Sequence, residues 1–378
     1  MLIYSTRFPD LIEWQDERNY RFDVRNDLFA TWADIRDDEN RVRALFHAFE
    51  RLARYDDMPI SAHQRMAIQK IKAKFYAAIG DTKQALDALD AGLFLAVTFP
   101  DNGALVDLLL LRATIHQSVL RLRDAANDIE YSLSILNDEG DEDVPADGAM
   151  ALSGLIRLAG LRFYLAQYVT AEERLRDARR LIAHVLADPI QSATIEWIQA
   201  NLERWRGQPE RALRHASAAA NVFCESQNLG TAARVQALVA DAALDFAATF
   251  AAEGDRENQI RFALPHIQIA QEFATEGVDE IGKGMVRLTL ARYSRLCRRD
   301  EDRVTIIEDV AGLARRDKDD ALLAQAFTAL GDELLFQGKR EQGMNLYRAV
   351  LEVLRGSDVP ALEVWARRPL LYAAEFAI

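Results

Sequence analysis

Apolar positions recur along almost the whole chain at the three- and four-residue spacing of a helix buried on one face. RMAIQKIKAKFYAAIG (65–80) and SATIEWIQANLERWRG (192–207) are examples. Strand-like alternation is confined to MLIYST at residues 1–6. Breakers fall at short intervals: Gly80–Asp81, the acidic stretch 138–148, Asp188–Pro189, Gly207–Pro209 and Glu253–Asp255. Helices of roughly four to five turns between such breakers predict an array of antiparallel helix pairs.

Small residues repeat within that array. Steps of 12, 16 and 19 residues from Gly331 reach Gly343, Tyr347 and Val350. The same steps link Ala73 to Ala85, Leu89 and Gly92, and Ala113 to Ala125, Ile129 and Ser132. They also link Ala159 to Ala171, Leu175 and Ala178, and Ala200 to Ala212, Ala216 and Ala219. The first slot sits on one helix and the other three sit on one face of its partner, since 12, 16 and 19 are related as i, i+4 and i+7. Small side chains at the crossing let two helix axes approach to the short end of the usual 8–10 Å range.

Phe327, Leu330, Gly331 and Leu334, then Gly338 at a turn, then Gly343 and Tyr347, resemble the tetratricopeptide repeat (TPR). So do the turns IGDTKQAL (79–86) and RGQPERAL (206–213). The resemblance covers roughly residues 60–365. It implies an all-α, right-handed TPR-like α-solenoid of about seven antiparallel helix pairs with a C-terminal capping helix. Slot spacings of 40, 46 and 41 exceed the family's usual period of about 34. They are similar to the extended repeats of bacterial sensor and regulator proteins and of kinesin light chains. Residues 1–25 are expected as an N-terminal arm or cap, 26–365 as the array, and 366–378 as the end of the capping helix. A worn first unit has its second helix at 40–56. Irregular packing is expected around 230–310, where Arg303 replaces a small residue and Pro265 either starts or kinks a helix.

A net charge of −13 argues against nonspecific binding to nucleic acid or to an anionic membrane. Two distant cysteines, Cys224 and Cys297, no signal peptide and no membrane-length apolar run predict a disulfide-free cytoplasmic protein. No GxxxxGK[ST] loop, HExxH or GxSxG elbow occurs, and the six histidines are scattered. The acidic loop 137–148 lacks the ligand order of an EF-hand. No catalytic residue, metal site or cofactor is expected, and the chain is read as non-enzymatic.

Positions three before, one after and four after each first slot form the opposite face of the first helix. In a TPR array that stripe lines the concave groove. It contains Lys70 and Lys74, Thr114 and Gln117, Phe163, Trp197, Asn201 and Arg204, and Arg292 and Arg295, with Asp332 as its one acid. Five cations against one anion, with aromatic anchors beside them, predict a groove for a peptide carrying acidic groups or a free carboxylate. The competing reading leaves these as solvated side chains, with Trp197 in the core. The carboxylate-clamp pattern of some TPR proteins is only partly filled. The resemblance therefore implies a protein- or peptide-binding scaffold or adaptor. The alternatives are a bacterial regulator sensing a signalling peptide or small ligand, and a self-assembling structural protein whose array ends stack into dimers or filaments.

Overall fold

Aspartates begin many of the helices that the breakers delimit, and the described residues of the computed structural model hold fourteen helices of 14 to 24 residues and a further helical stretch at 360–364. It describes residues 61–364 and Arg367, apart from 79–80, 139–144, 146, 226–228, 250–252, 277–279, 298–301, 318 and 356–358. The arm expected at 1–25, the worn unit with its helix at 40–56 and, but for Arg367, the end at 366–378 lie outside the described residues. The helices form seven consecutive pairs, and no described residue is in a strand.

Two compact units divide the chain, Met1–Glu139 and Gly140–Ile378. The first holds α1 (Ala62–Ala78), α2 (Thr82–Thr98), α3 (Asn102–Ser118) and α4 (Leu122–Asp138). The second begins with α5 (Gly148–Tyr164), α6 (Tyr168–Ile182), α7 (Pro189–Trp205), α8 (Pro209–Glu225) and α9 (Leu229–Ala247). It continues with α10 (Glu253–Glu276), α11 (Glu280–Leu296), α12 (Arg303–Asp317), α13 (Asp320–Phe336) and α14 (Arg340–Val353).

The caps follow from the sequence. Asp81, Asp101, Asp147 and Asp319 each accept a hydrogen bond from the backbone N–H three residues on, satisfying a helix donor that has no partner of its own. Asp188 does the same job for α7 in a capping box with Gln191, with Pro189 in the first turn.

Four pairs share one turn, placed seven residues after the first slot. Leu120, Ala166, Gly207 and Gly338 all have φ between +57° and +76°. After each, the next residue's N–H reaches five residues back: Arg121 to His116, Gln167 to Arg162, Gln208 to Glu203 and Lys339 to Leu334. This is a Schellman closure, which uses helix-end carbonyls that would otherwise be unsatisfied. Glycine adopts this backbone freely, whereas Leu120 and Ala166 adopt it under strain.

Every residue in the five slot sets is buried, most of them completely. On α8 the buried stripe is Ala212, Ala216, Ala219, Ala220 and Phe223, while Arg211, Arg214, Ala218 and Asn221 face solvent. The pair α9/α10 departs from the common spacing. Ala237, Ala240, Ala243, Leu244 and Ala247 pack there against Ile260, Ala263, Ile267 and Ala270. Alanine recurs so often on α9 that no single position is the crossing point, and α10 is lengthened to 24 residues. Pro265 lies on an exposed face inside α10 and does not start it. Arg303 stands at the start of α12, and its guanidinium is drawn to the buried Glu333 of α13, with contacts of 3.0 and 2.9 Å.

Candidate functional site

First helices of successive pairs present the stripe described above, and each unit carries its own part. In the first unit, Lys70 on α1 donates to Asp107 on α3 at 2.8 Å. The Thr114 hydroxyl donates to the carbonyl of Leu110 in its own helix, at 3.0 Å. Lys74 and Gln117 are partly buried on α1 and α3, and Thr114 is exposed.

In the second unit the stripe begins with aromatic rings. Phe163, at the end of α5, meets Tyr164 edge-on at 5.3 Å and Tyr168 at 5.8 Å. Tyr168 in turn lies 5.0 Å from Trp205. Trp197 is partly buried against the α7–α8–α9 core and meets Phe223 edge-to-face at 6.0 Å. Asn201 spends its amide N–H on the Trp197 carbonyl, at 3.0 Å.

The structure brings together two of the residues picked from sequence, Arg204 on α7 and Arg292 on α11. Two aspartates of the intervening helix α9, absent from the stripe as read, join them. Arg204 Nε donates to Asp245 Oδ2 at 2.5 Å, and Arg292 Nη2 pairs with Asp245 Oδ1. Asp241 lies 3.3 Å from each guanidinium, through Oδ2 to Arg204 and Oδ1 to Arg292. Each carboxylate therefore bridges both arginines, and the four groups sum to zero charge.

Burial alone would push the Asp245 carboxyl up, but Arg204 and Arg292 outweigh it and hold it below the ordinary aspartate range. Desolvation likewise disfavours charge on Arg204, and Asp245 and Asp241 more than offset that. The local excess of cations inferred from the sequence omitted these two acids. Asp241 and Asp245 lie four residues apart on one face of α9, the spacing of the stripe's own positions, but this alanine-rich helix offers no unique slot from which to count them.

Arg295 lies one turn beyond Arg292 and has no ion pair among the described residues. Its charge acts on the Tyr347 phenol, whose O–H donates to Asp332 at 2.5 Å. The stripe's one predicted acid is thus held by the second helix of its own pair. Among the described residues, no group of three or more His, Cys, Asp or Glu side chains is placed to hold a metal ion. No described helix is long and apolar enough to cross a membrane.

No family model matches the sequence, and no curated protein does. Solved structures do match. A Rap protein complexed with Competence and Sporulation Factor aligns with TM-score 0.65 and 12% identity, over 94% of this chain and 93% of that one. The apo quorum sensor NprR from B. thuringiensis gives 0.62 and 14%, over 90% of each chain. The Rap conjugation gene regulator of plasmid pLS20, in complex with the Phr* peptide, gives 0.52 and 11%, over 93% and 97%. The fold is that of the TPR-like solenoids. At this identity the likeness carries fold alone. Within the TPR-like frame, the Arg204–Asp241–Asp245–Arg292 lattice joins charged groups of three successive first helices, α7, α9 and α11.

Proposed function

We propose that this TPR-like chain is a non-enzymatic regulator or adaptor of the cytoplasm that binds a peptide or a peptide-like segment of a protein. The first helices α5, α7, α9 and α11 form its recognition face. The observation that carries the reading is the concentration, on that face, of rings (Phe163, Trp197) beside charged groups that are only partly withdrawn from water. Rings supply area at low entropic cost, and partly exposed charges supply orientation. Arg295 and Asn201 extend the face, and in the first unit Lys70, Lys74, Thr114 and Gln117 occupy the corresponding positions. Two structures of the same fold are complexes, one with Competence and Sporulation Factor and one with the Phr* peptide, which supports a peptide ligand here.

Partner capture from the native cell, followed by photocrosslinking, tests this. A photoreactive side chain at position 295 should crosslink the partner, and one at the exposed position 309 on α12 should not. Equal crosslinking from both, or from 309 alone, would remove the recognition face from these helices.

A further inference from the structure

The ion lattice has a consequence for what this face accepts, and the inference rests on the peptide-binding reading above. Arginine stays charged at every accessible pH, so Arg204 and Arg292 always require an anion. Their side chains are 15% and 25% exposed. Asp241 and Asp245 supply that anion from within the chain, each bridging both guanidiniums. Two guanidiniums flanking one carboxylate, with both of its oxygens engaged, is the arrangement in which a protein grips a bound carboxylate. Here the gripped carboxylates belong to α9.

We propose that Arg204 and Arg292 form an anion site held closed by the internal carboxylates of Asp241 and Asp245, and that these two aspartates are specificity residues that refuse acidic side chains at this point of the face. A ligand carboxylate that takes the contacts Asp241 and Asp245 now make must displace one of them, and one that approaches the guanidiniums from the side still meets both aspartates as like charges. A neutral segment crosses the lattice without breaking it. Discrimination by a like charge already in place is an ordinary route to specificity. The stripe read from sequence favoured an acidic peptide; with α9 included, the centre of the face disfavours one.

Removing the internal anions should open the site. The probes are two fluorescein-labelled hexapeptides, Asp-Gly-Asp-Gly-Asp-Gly and Ser-Gly-Ser-Gly-Ser-Gly, followed by anisotropy at low ionic strength. The unaltered protein should hold the acidic probe no better than the neutral one. The double variant Asp241→Asn, Asp245→Asn should hold the acidic probe about tenfold better than the neutral one. Adding Arg204→Gln should abolish that gain.

The pair Glu308→Gln, Asp309→Asn makes the same change in net charge on the exposed side of α12 and should give no gain. If the double variant does not melt cooperatively, the single Asp241→Asn, which gives up only the two 3.3 Å ion pairs and keeps the Asp241 backbone carbonyl 3.4 Å from Arg292, should still favour the acidic probe about threefold. An acidic preference in the unaltered protein, or no gain in either asparagine variant, overturns the proposal. So does an equal gain in the α12 control. Partner crosslinking through position 295 stands or falls independently of these outcomes.

Discussion

Gly331 and Gly343 face each other across the α13/α14 crossing so closely that a methyl group has no room at Gly343 and is tightly pressed at Gly331. A Cβ on Gly343 would lie 2.9 Å from the Gly331 carbonyl oxygen, and one on Gly331 would lie 3.3 Å from the Gly343 carbonyl oxygen. The Tyr347 ring closes the gap from the side, 3.0 Å from the same Gly331 Cβ. A backbone oxygen cannot rotate away, so alanine at Gly343 must part the helices, whereas alanine at Gly331 presses on the Tyr347 ring and on the Gly343 carbonyl by a few tenths of an ångström. Gly343→Ala should cost about 1–3 kcal/mol, and Gly343→Leu more, through overpacking. Urea titration followed by circular dichroism checks this. An unchanged midpoint would mean that the crossing is looser than the structure has it.

Arg303 and Glu333 illustrate how a repeat survives the loss of its small residue. The carboxylate is almost fully buried, and it receives both the guanidinium and the Gln337 amide, the latter at 3.1 Å. Arg303→Ala would leave a buried charge with one neutral donor and should cost on the order of 3 kcal/mol. The double variant Arg303→Leu, Glu333→Leu removes the charge as well as its partner. It should be more stable than either single replacement, and thermal melts of the three proteins decide it.

The helix pairs were legible because their rules are local. Periodicity marked the helices, and a spacing of twelve between small residues marked the crossings. Each slot from Ala73 to Val350 proved buried for that reason. The site was less legible because it depends on which helices become neighbours. Arg204 and Arg292 lie on the stripe as expected, but their partners come from α9, where recurring alanines conceal the register. Lys70 shows the same thing in the first unit: its charge is answered by Asp107, two helices away in the chain. Sequence spacing located the cations. The anions that neutralise them required the packing of successive first helices.

The shared turn yields a cleaner measurement than any core position. Added Cβ atoms at Gly207 and Gly338 meet nothing within 4 Å, yet both residues have φ near +74° (+72° and +76°). Gly207→Ala and Gly338→Ala therefore change backbone strain without changing packing, and each should cost about 1 kcal/mol. The reverse replacement, Ala166→Gly at φ +58°, relieves strain but gives the unfolded chain more freedom. Its denaturation midpoint should stay close to that of the unaltered protein. A loss from Ala166→Gly as large as that from Gly338→Ala would contradict the common turn.

Acid should destabilise the protein in two stages, and their signs follow from the direction of each shift. His116 on α3 and His266 on α10 are both held below the ordinary histidine range, chiefly by burial; at His116 that outweighs the nearby Asp128. His266 also places Nδ1 2.6 Å from the side-chain amide oxygen Oε1 of Gln236, an acceptor that fixes the proton on that nitrogen. A group whose folded pKa is lowered binds its proton first in the unfolded chain. Stability is therefore full above about pH 6.5 and declines as the pH falls from there toward the folded value. Asp245, lowered by Arg204 and Arg292, contributes stability that is full above about pH 4 and is lost only in stronger acid. Melting temperatures should thus be flat above neutrality, decline as the pH falls below about 6.5, and drop again below about pH 4. Replacing both histidines by glutamine should flatten the first decline and leave the second, whereas Asp245→Asn should lower the plateau and weaken the second. A first decline that persists without His116 and His266 would assign it to other groups.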